Sequence, residues 1–166
     1  VDKKFLLSYL NDSLALYEET LWHELGGIAG AKGDMVGVSF IRSQNIIGNT
    51  TEDIIGNCIK AIVKNGIAEE IKYVLGGKGI CLKLRVKGCC HLPAATKVKN
   101  DGIKPYMCPI VNMIVDRLIE QLGYETAYVA DLEVDEGSKQ CQLICAIYEN
   151  IDKIGQVSDW TKIPNP

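Results

Sequence analysis

The sequence predicts an α+β fold: a four-stranded antiparallel sheet built from two hairpins, with helices packed on one face. Three observations predict it. Apolar residues recur at helical spacing before residue 66 and again over 109–122. Two segments instead alternate apolar and polar residues about glycine-bearing turns, at 70–86 and 125–149. The order is therefore helices, hairpin, two helices, hairpin, which segregates helices from an antiparallel sheet.

The opening helix is expected over about residues 5–25. Leu10, Leu14, Tyr17, Leu21 and Leu25 fall at three- and four-residue steps and form one apolar stripe, ended by Gly26-Gly27. Residues 29–48 carry glycines at 30, 33, 37 and 48 and read as a loop followed by a short helical segment. Their spacing matches neither a dinucleotide fingerprint nor a phosphate-binding loop, so chain turns explain them better. Asn49-Thr50-Thr51-Glu52-Asp53 starts the next helix, with capping side chains followed by acids that suit the positive helix end. That helix turns Ile55, Cys58, Ile59 and Ile62 inward and stops at Asn65-Gly66. Cys58 is thus expected in the core.

The period then changes. Residues 70–75 and 80–86 form a hairpin about Gly76-Gly-Lys-Gly79. Leu82, Leu84 and Val86 share its packed face. Lys83, Arg85 and Lys87 share a face expected to be wet, and Cys81 follows that parity. A short helix is expected over 93–99. The helix over 109–122 has proline where a first turn tolerates it and Gly123 just past its end. A second hairpin, 125–135 and 140–149, turns at Glu136-Gly137-Ser138. One domain is expected over 1–155, followed by an extended tail, 156–166, with Trp160 as its anchor.

Length and composition suit a globular domain, with 47% hydrophobic residues and a net charge of -3. That balance gives no footprint for nucleic acid. No apolar run approaches the roughly 20 residues needed to span a bilayer. No signal peptide is read. Seven cysteines without a CxxC pair fit neither a disulfide scaffold nor a zinc ribbon. The expected compartment is therefore the reducing cytoplasm.

Chemistry concentrates on cysteines at element ends. Cys108 is the expected N-cap of the 109–122 helix, where the helix dipole favours a thiolate. The competing reading makes it a small core residue. Cys89, Cys90 and His91 leave one strand and Cys141 begins the last. Together with Cys108 these soft donors suit zinc, or iron as the alternative. The opposing reading is that two or three of these cysteines only fill the core. Glu133 alternates away from the Leu132 side, on which Cys141 falls, unless a bulge reunites them. A Cys108–His91 nucleophile lacks an evident third residue. His23 reads as a surface histidine.

The second half resembles the 4-vinyl reductase domain family, especially its stand-alone archaeal members. The resemblance rests on Cys108-Pro-Ile-Val-Asn-Met-Ile-Val-Asp-Arg-Leu, Leu122-Gly123, Leu132-Glu133-Val134 and Cys141-Gln-Leu, and covers about residues 50–149. It implies a fold related to transport-particle (TRAPP) subunits and nitric-oxide-sensing haem domains, with a pocket for a small hydrophobic molecule. In regulators of the family, cysteines and a glutamate hold zinc; the matching positions here are Cys108, Cys141 and Glu133. The chain departs from that pattern after the glutamate, where Asp135 and Glu136 stand and seven residues precede Cys141. Cys89, Cys90 or His91 are the candidates for the remaining ligand. No flavin or nicotinamide fingerprint supports the reductase label. The leading expectation is a homodimeric small-molecule-binding domain with a cysteine metal site. The alternatives are a thiolate- or metal-dependent enzyme using Cys108, and a dimeric assembly subunit.

Overall fold

The first alternating segment folds into β1 (Glu70–Gly76) and β2 (Ile80–Lys87), and the second into β3 (Thr126–Asp135) and β4 (Gln140–Tyr148). These strands are seen in a computed structural model that describes residues 2–76, 80–150, 152 and 164–166. They form one antiparallel sheet in the order β1-β2-β4-β3, so the hairpins join through β2 and β4. Across that joint Leu84 faces Leu143 and Val86 faces Cys141. Cys141 in turn pairs with Val134 on β3. The fold is the expected α+β architecture.

The helices are α1 (Lys3–Leu25), α2 (Gly30–Gly33), α3 (Val38–Ser43), α4 (Thr51–Lys64), α5 (Leu92–Asn100) and α6 (Pro109–Leu122), with a 3-10 turn at Gly26–Ile28. Their ends follow local chemistry. The Thr50 side chain accepts the Asp53 N–H and caps α4, and Gly66 leaves that helix at φ +71°. Pro109 opens α6, and Gly123 closes it in the left-handed conformation at φ 73°. Helices α3, α4 and α6 pack on the inner face of the sheet, where Ile54, Ile62, Ile110, Ile114 and Leu118 meet Leu84 and Leu143. Each such side chain contributes roughly 1.5–3 kcal/mol by leaving water. Cys58 is fully buried in this core, as expected.

Two features differ from the sequence reading. The outer sheet face is dry along part of its length. Cys81, Ala146 and Tyr148 form a buried cluster there, and Lys83 is buried with them. Alternation alone gave Cys81 and Lys83 a wet face, because it cannot see what lies across the sheet. Asn165 and Pro166 line a cleft on this face, and Lys83 Nζ lies 3.5 Å from Asn165 Oδ1. Trp160 and residues 153–163 lie outside the described residues.

The second difference is the orientation of α1. It buries Asn11, Ala15 and Glu18, while Leu10 and Tyr17 of its apolar stripe are exposed and Leu14, Leu21 and Leu25 are only half-buried. The polar face turns inward because its side chains meet unpaired backbone groups. Asn11 Nδ2 donates to the Cys90 carbonyl at 3.0 Å, and Glu18 Oε1 accepts the N–H groups of Tyr106 and Met107 at 2.8 and 3.0 Å. Among the described residues, no helix is long and apolar enough to cross a membrane.

Candidate functional site

Three segments bring cysteines to one place. Gly88 ends β2 at φ +60°, and its N–H bonds the Lys139 carbonyl at 3.0 Å. The chain then bends so that Cys90 N–H reaches the Ile67 carbonyl at 2.8 Å. This tethered loop presents Cys89 and His91. Cys108 is the N-cap of α6, as expected from Pro109. Cys141 is held between β2 and β3 by its pairing with Val86 and Val134.

Cys89, Cys108 and Cys141 line one small cavity of about 20 Å3, together with His91, Glu18 and Met107. A volume of that order admits about one water-sized occupant. The His91 N–H donates to Cys89 Sγ at 3.4 Å, and His91 Nδ1 lies 3.8 Å from the same sulfur. Helix α1 clamps both cysteine loops from above, Asn11 on Cys90 and Glu18 on the residues before Cys108. The Tyr106 hydroxyl returns a bond to the Glu18 carbonyl at 2.7 Å, and the Tyr106 and Trp22 rings lie 5.9 Å apart.

Burial dominates the ionisation of these groups. It pushes the Cys108 thiol up to about 11 and the Cys141 thiol up to about 12. Backbone N–H groups of Ile110 and Val111 favour the Cys108 anion, but less strongly than burial opposes it. At the helix start of α6, burial thus favours the neutral Cys108 thiol, the competing reading of this position. Burial raises Cys89 as well, and the nearby Cys108 and Cys141 raise it further. Burial lowers His91, which favours the neutral imidazole. Glu18 is raised, with burial outweighing its two backbone bonds.

Not all the sequence candidates converge. Cys90 is half-buried and does not line the cavity. Glu133 is exposed and pairs with Gln142, facing away from Cys141. The hairpin does contain a bulge, but it falls between Val129 and Asp131. Regular alternation resumes after it, so Glu133 stays on the outer face. Among the described residues, no group of three or more His, Cys, Asp or Glu side chains forms a ready metal-holding set. Cys89, Cys108, Cys141 and His91 share the lining of one small space without forming such a set. All seven cysteines are free thiols.

A second cavity, about 230 Å3, lies beneath α6. Val111, Val115 and Ile119 form one wall, Met35 and Val38 another, and Cys145 is also in its lining. Asp34 lies at this cavity, and burial raises its carboxyl. Comparison of the chain with protein-family models, curated proteins and solved structures gave no match.

The sequence reading missed Asn11 and Glu18. Their signal was a small and polar row, Asn11, Ala15 and Glu18, at the same helical spacing as the leucines but on another face.

Proposed function

We propose that this chain is a binding domain with a soft-metal site at the thiol cavity, zinc being the ion its donors suit and iron the alternative. The observation that carries the reading is that Cys89, Cys108 and Cys141 come from three distant segments and line one small space beside His91. Four such donors make the complement of a structural zinc site. Buried thiols crowded together resist ionising, and a divalent cation would offset that cost by binding the sulfurs in place of their protons, which are released to solvent. In the 4-vinyl-reductase reading, Cys108 and Cys141 are the shared ligands, and Cys89 with His91 completes the set in place of Glu133.

The cavity beneath α6 supports the second half of the reading, a small apolar ligand. Its lining joins the apolar Met35, Val38, Val111, Val115 and Ile119 with the polar Asp34, Asn112, Asp116 and Glu125, the mix of apolar wall and placed polar groups that small-molecule sites use.

Cobalt(II) titration tests the metal assignment, since thiolate–cobalt bonds give intense near-ultraviolet charge-transfer absorption. The expected result is saturation at one ion per chain, with the absorption greatly reduced in Cys89→Ser, Cys108→Ser and Cys141→Ser. Cys90→Ser and Glu133→Gln are expected to leave it intact. Charge-transfer absorption that survives Cys108→Ser unchanged overturns the assignment.

A further inference from the structure

Helix α1 carries an apolar seam that the rest of the chain covers only in part. Leu7, Leu10, Leu14, Tyr17 and Leu21 follow a strict alternation of three- and four-residue steps, the repeat of a two-helix seam. Leu7, Leu10 and Tyr17 are 44%, 53% and 44% exposed, and Leu14 and Leu21 are half-buried. Leu6 is also exposed beside them. The body of the protein is served chiefly by a neighbouring face of α1, through Asn11, Ala15 and Glu18, with Leu14 at the edge of that face packed against the cluster of Ala15, Ala94, Val98 and Ile103. The exposed Leu7, Leu10 and Tyr17 leave α1 a surface to offer a partner.

The charges at the seam ends identify the occupant. One step beyond Leu7 stands Lys3, and one step beyond Leu21 stands Glu24; both are exposed. Two copies running antiparallel place Lys3 of each against the Glu24 end of the other. Parallel copies would set like charges together at both ends. The seam is therefore complementary to itself about a two-fold axis, the property an isologous dimer requires.

We propose that α1 is the homodimer interface, packed antiparallel against α1 of a second copy through Leu7, Leu10, Leu14, Tyr17 and Leu21. The pairing leaves the inward face of α1 engaged with Cys90 and Met107. The dimer therefore backs the helix that clamps the two cysteine loops, but does not depend on any metal.

Sedimentation equilibrium on the full chain tests this, with circular dichroism to verify folding. The wild type is expected to dimerise, and Leu10→Lys and Tyr17→Lys are expected to be folded monomers, since both positions are exposed within the chain. Lys3→Glu and Glu24→Lys are each expected to weaken dimerisation about tenfold, by turning two symmetric attractions into repulsions. The double variant Lys3→Glu/Glu24→Lys is expected to regain wild-type affinity, because antiparallel copies exchange the two charges. A monomeric wild type overturns the proposal and leaves the seam to a different protein. A dimer indifferent to Leu10→Lys and Tyr17→Lys overturns it as well. A double variant no tighter than the single ones excludes the antiparallel arrangement.

Discussion

Glu18 Oε1 accepts the backbone N–H of Met107 at 3.0 Å, one residue before the Cys108 N-cap. The same oxygen takes the Tyr106 N–H at 2.8 Å, so one carboxylate on α1 holds the segment that delivers Cys108 to the cavity. Glu18→Ala leaves two largely buried donors without that partner. The expected cost is about 2–3 kcal/mol of unfolding free energy, measured by urea denaturation. Glu18→Gln keeps an acceptor oxygen and is expected to lose less. Equal stability of Glu18→Ala and wild type would show that the clamp contributes nothing.

Alkaline pH is expected to destabilise the protein through its buried thiols. Burial pushes Cys58 up to about 12, whereas an unfolded thiol ionises near about 8.5. The folded chain therefore holds this proton more tightly. Its contribution is complete below about pH 8.5 and is lost as pH rises toward 12, at up to about 1.4 kcal/mol per pH unit. Cys81, raised to about 11, acts in the same direction. Urea midpoints measured from pH 8 to 10 are expected to fall, and to fall less steeply in Cys58→Ala. Parallel pH profiles for the two proteins would remove Cys58 from the explanation.

Alkylation is expected to rank the cysteines by access. Cys90 is half-buried, while the other six are buried. With iodoacetamide at pH 8, Cys90 is expected to react first, and Cys89, Cys108 and Cys141 at least tenfold more slowly. Peptide mass spectrometry reads the order. Rapid labelling of Cys108 ahead of Cys90 would restore the thiolate reading of the α6 start.

Gly37 is expected to tolerate no side chain. It enters α3 at φ +89°, and a Cβ there would lie 2.9 Å from Met113 Cε and 3.1 Å from the Pro109 carbonyl oxygen. Left-handed strain of about 1–2 kcal/mol adds to the contact with backbone at the start of α6. Gly37→Ala is expected to lower stability by about 2 kcal/mol or more in thermal or urea unfolding. A loss below about 0.5 kcal/mol would mean that the α6 start shifts freely.

Much of the fold was legible because its signals are local. The Pro109 and Gly123 punctuation of α6, the Thr50 cap of α4 and the two alternating hairpins are each written in a few neighbouring residues. The inward face of α1 was not legible. Leucine spacing marks an apolar stripe but does not say whether it faces this chain or a neighbour, and here the buried row is Asn11, Ala15 and Glu18. What turns that row inward is a set of backbone groups about 80 residues away in sequence, at Cys90, Tyr106 and Met107. The site was legible as a set of sulfur donors at element ends. Which of them meet was decided by the turn at Gly88 and by alternation after the β3 bulge, which send Cys89 to the cavity and Glu133 away from it.

The most direct test of the metal assignment is X-ray absorption at the zinc edge on protein loaded with one equivalent of zinc. A first shell of three sulfurs and one nitrogen, with one sulfur lost in each of Cys89→Ser, Cys108→Ser and Cys141→Ser, is the predicted result. A shell of oxygen and nitrogen alone, or a sulfur count unmoved by these substitutions, would contradict it.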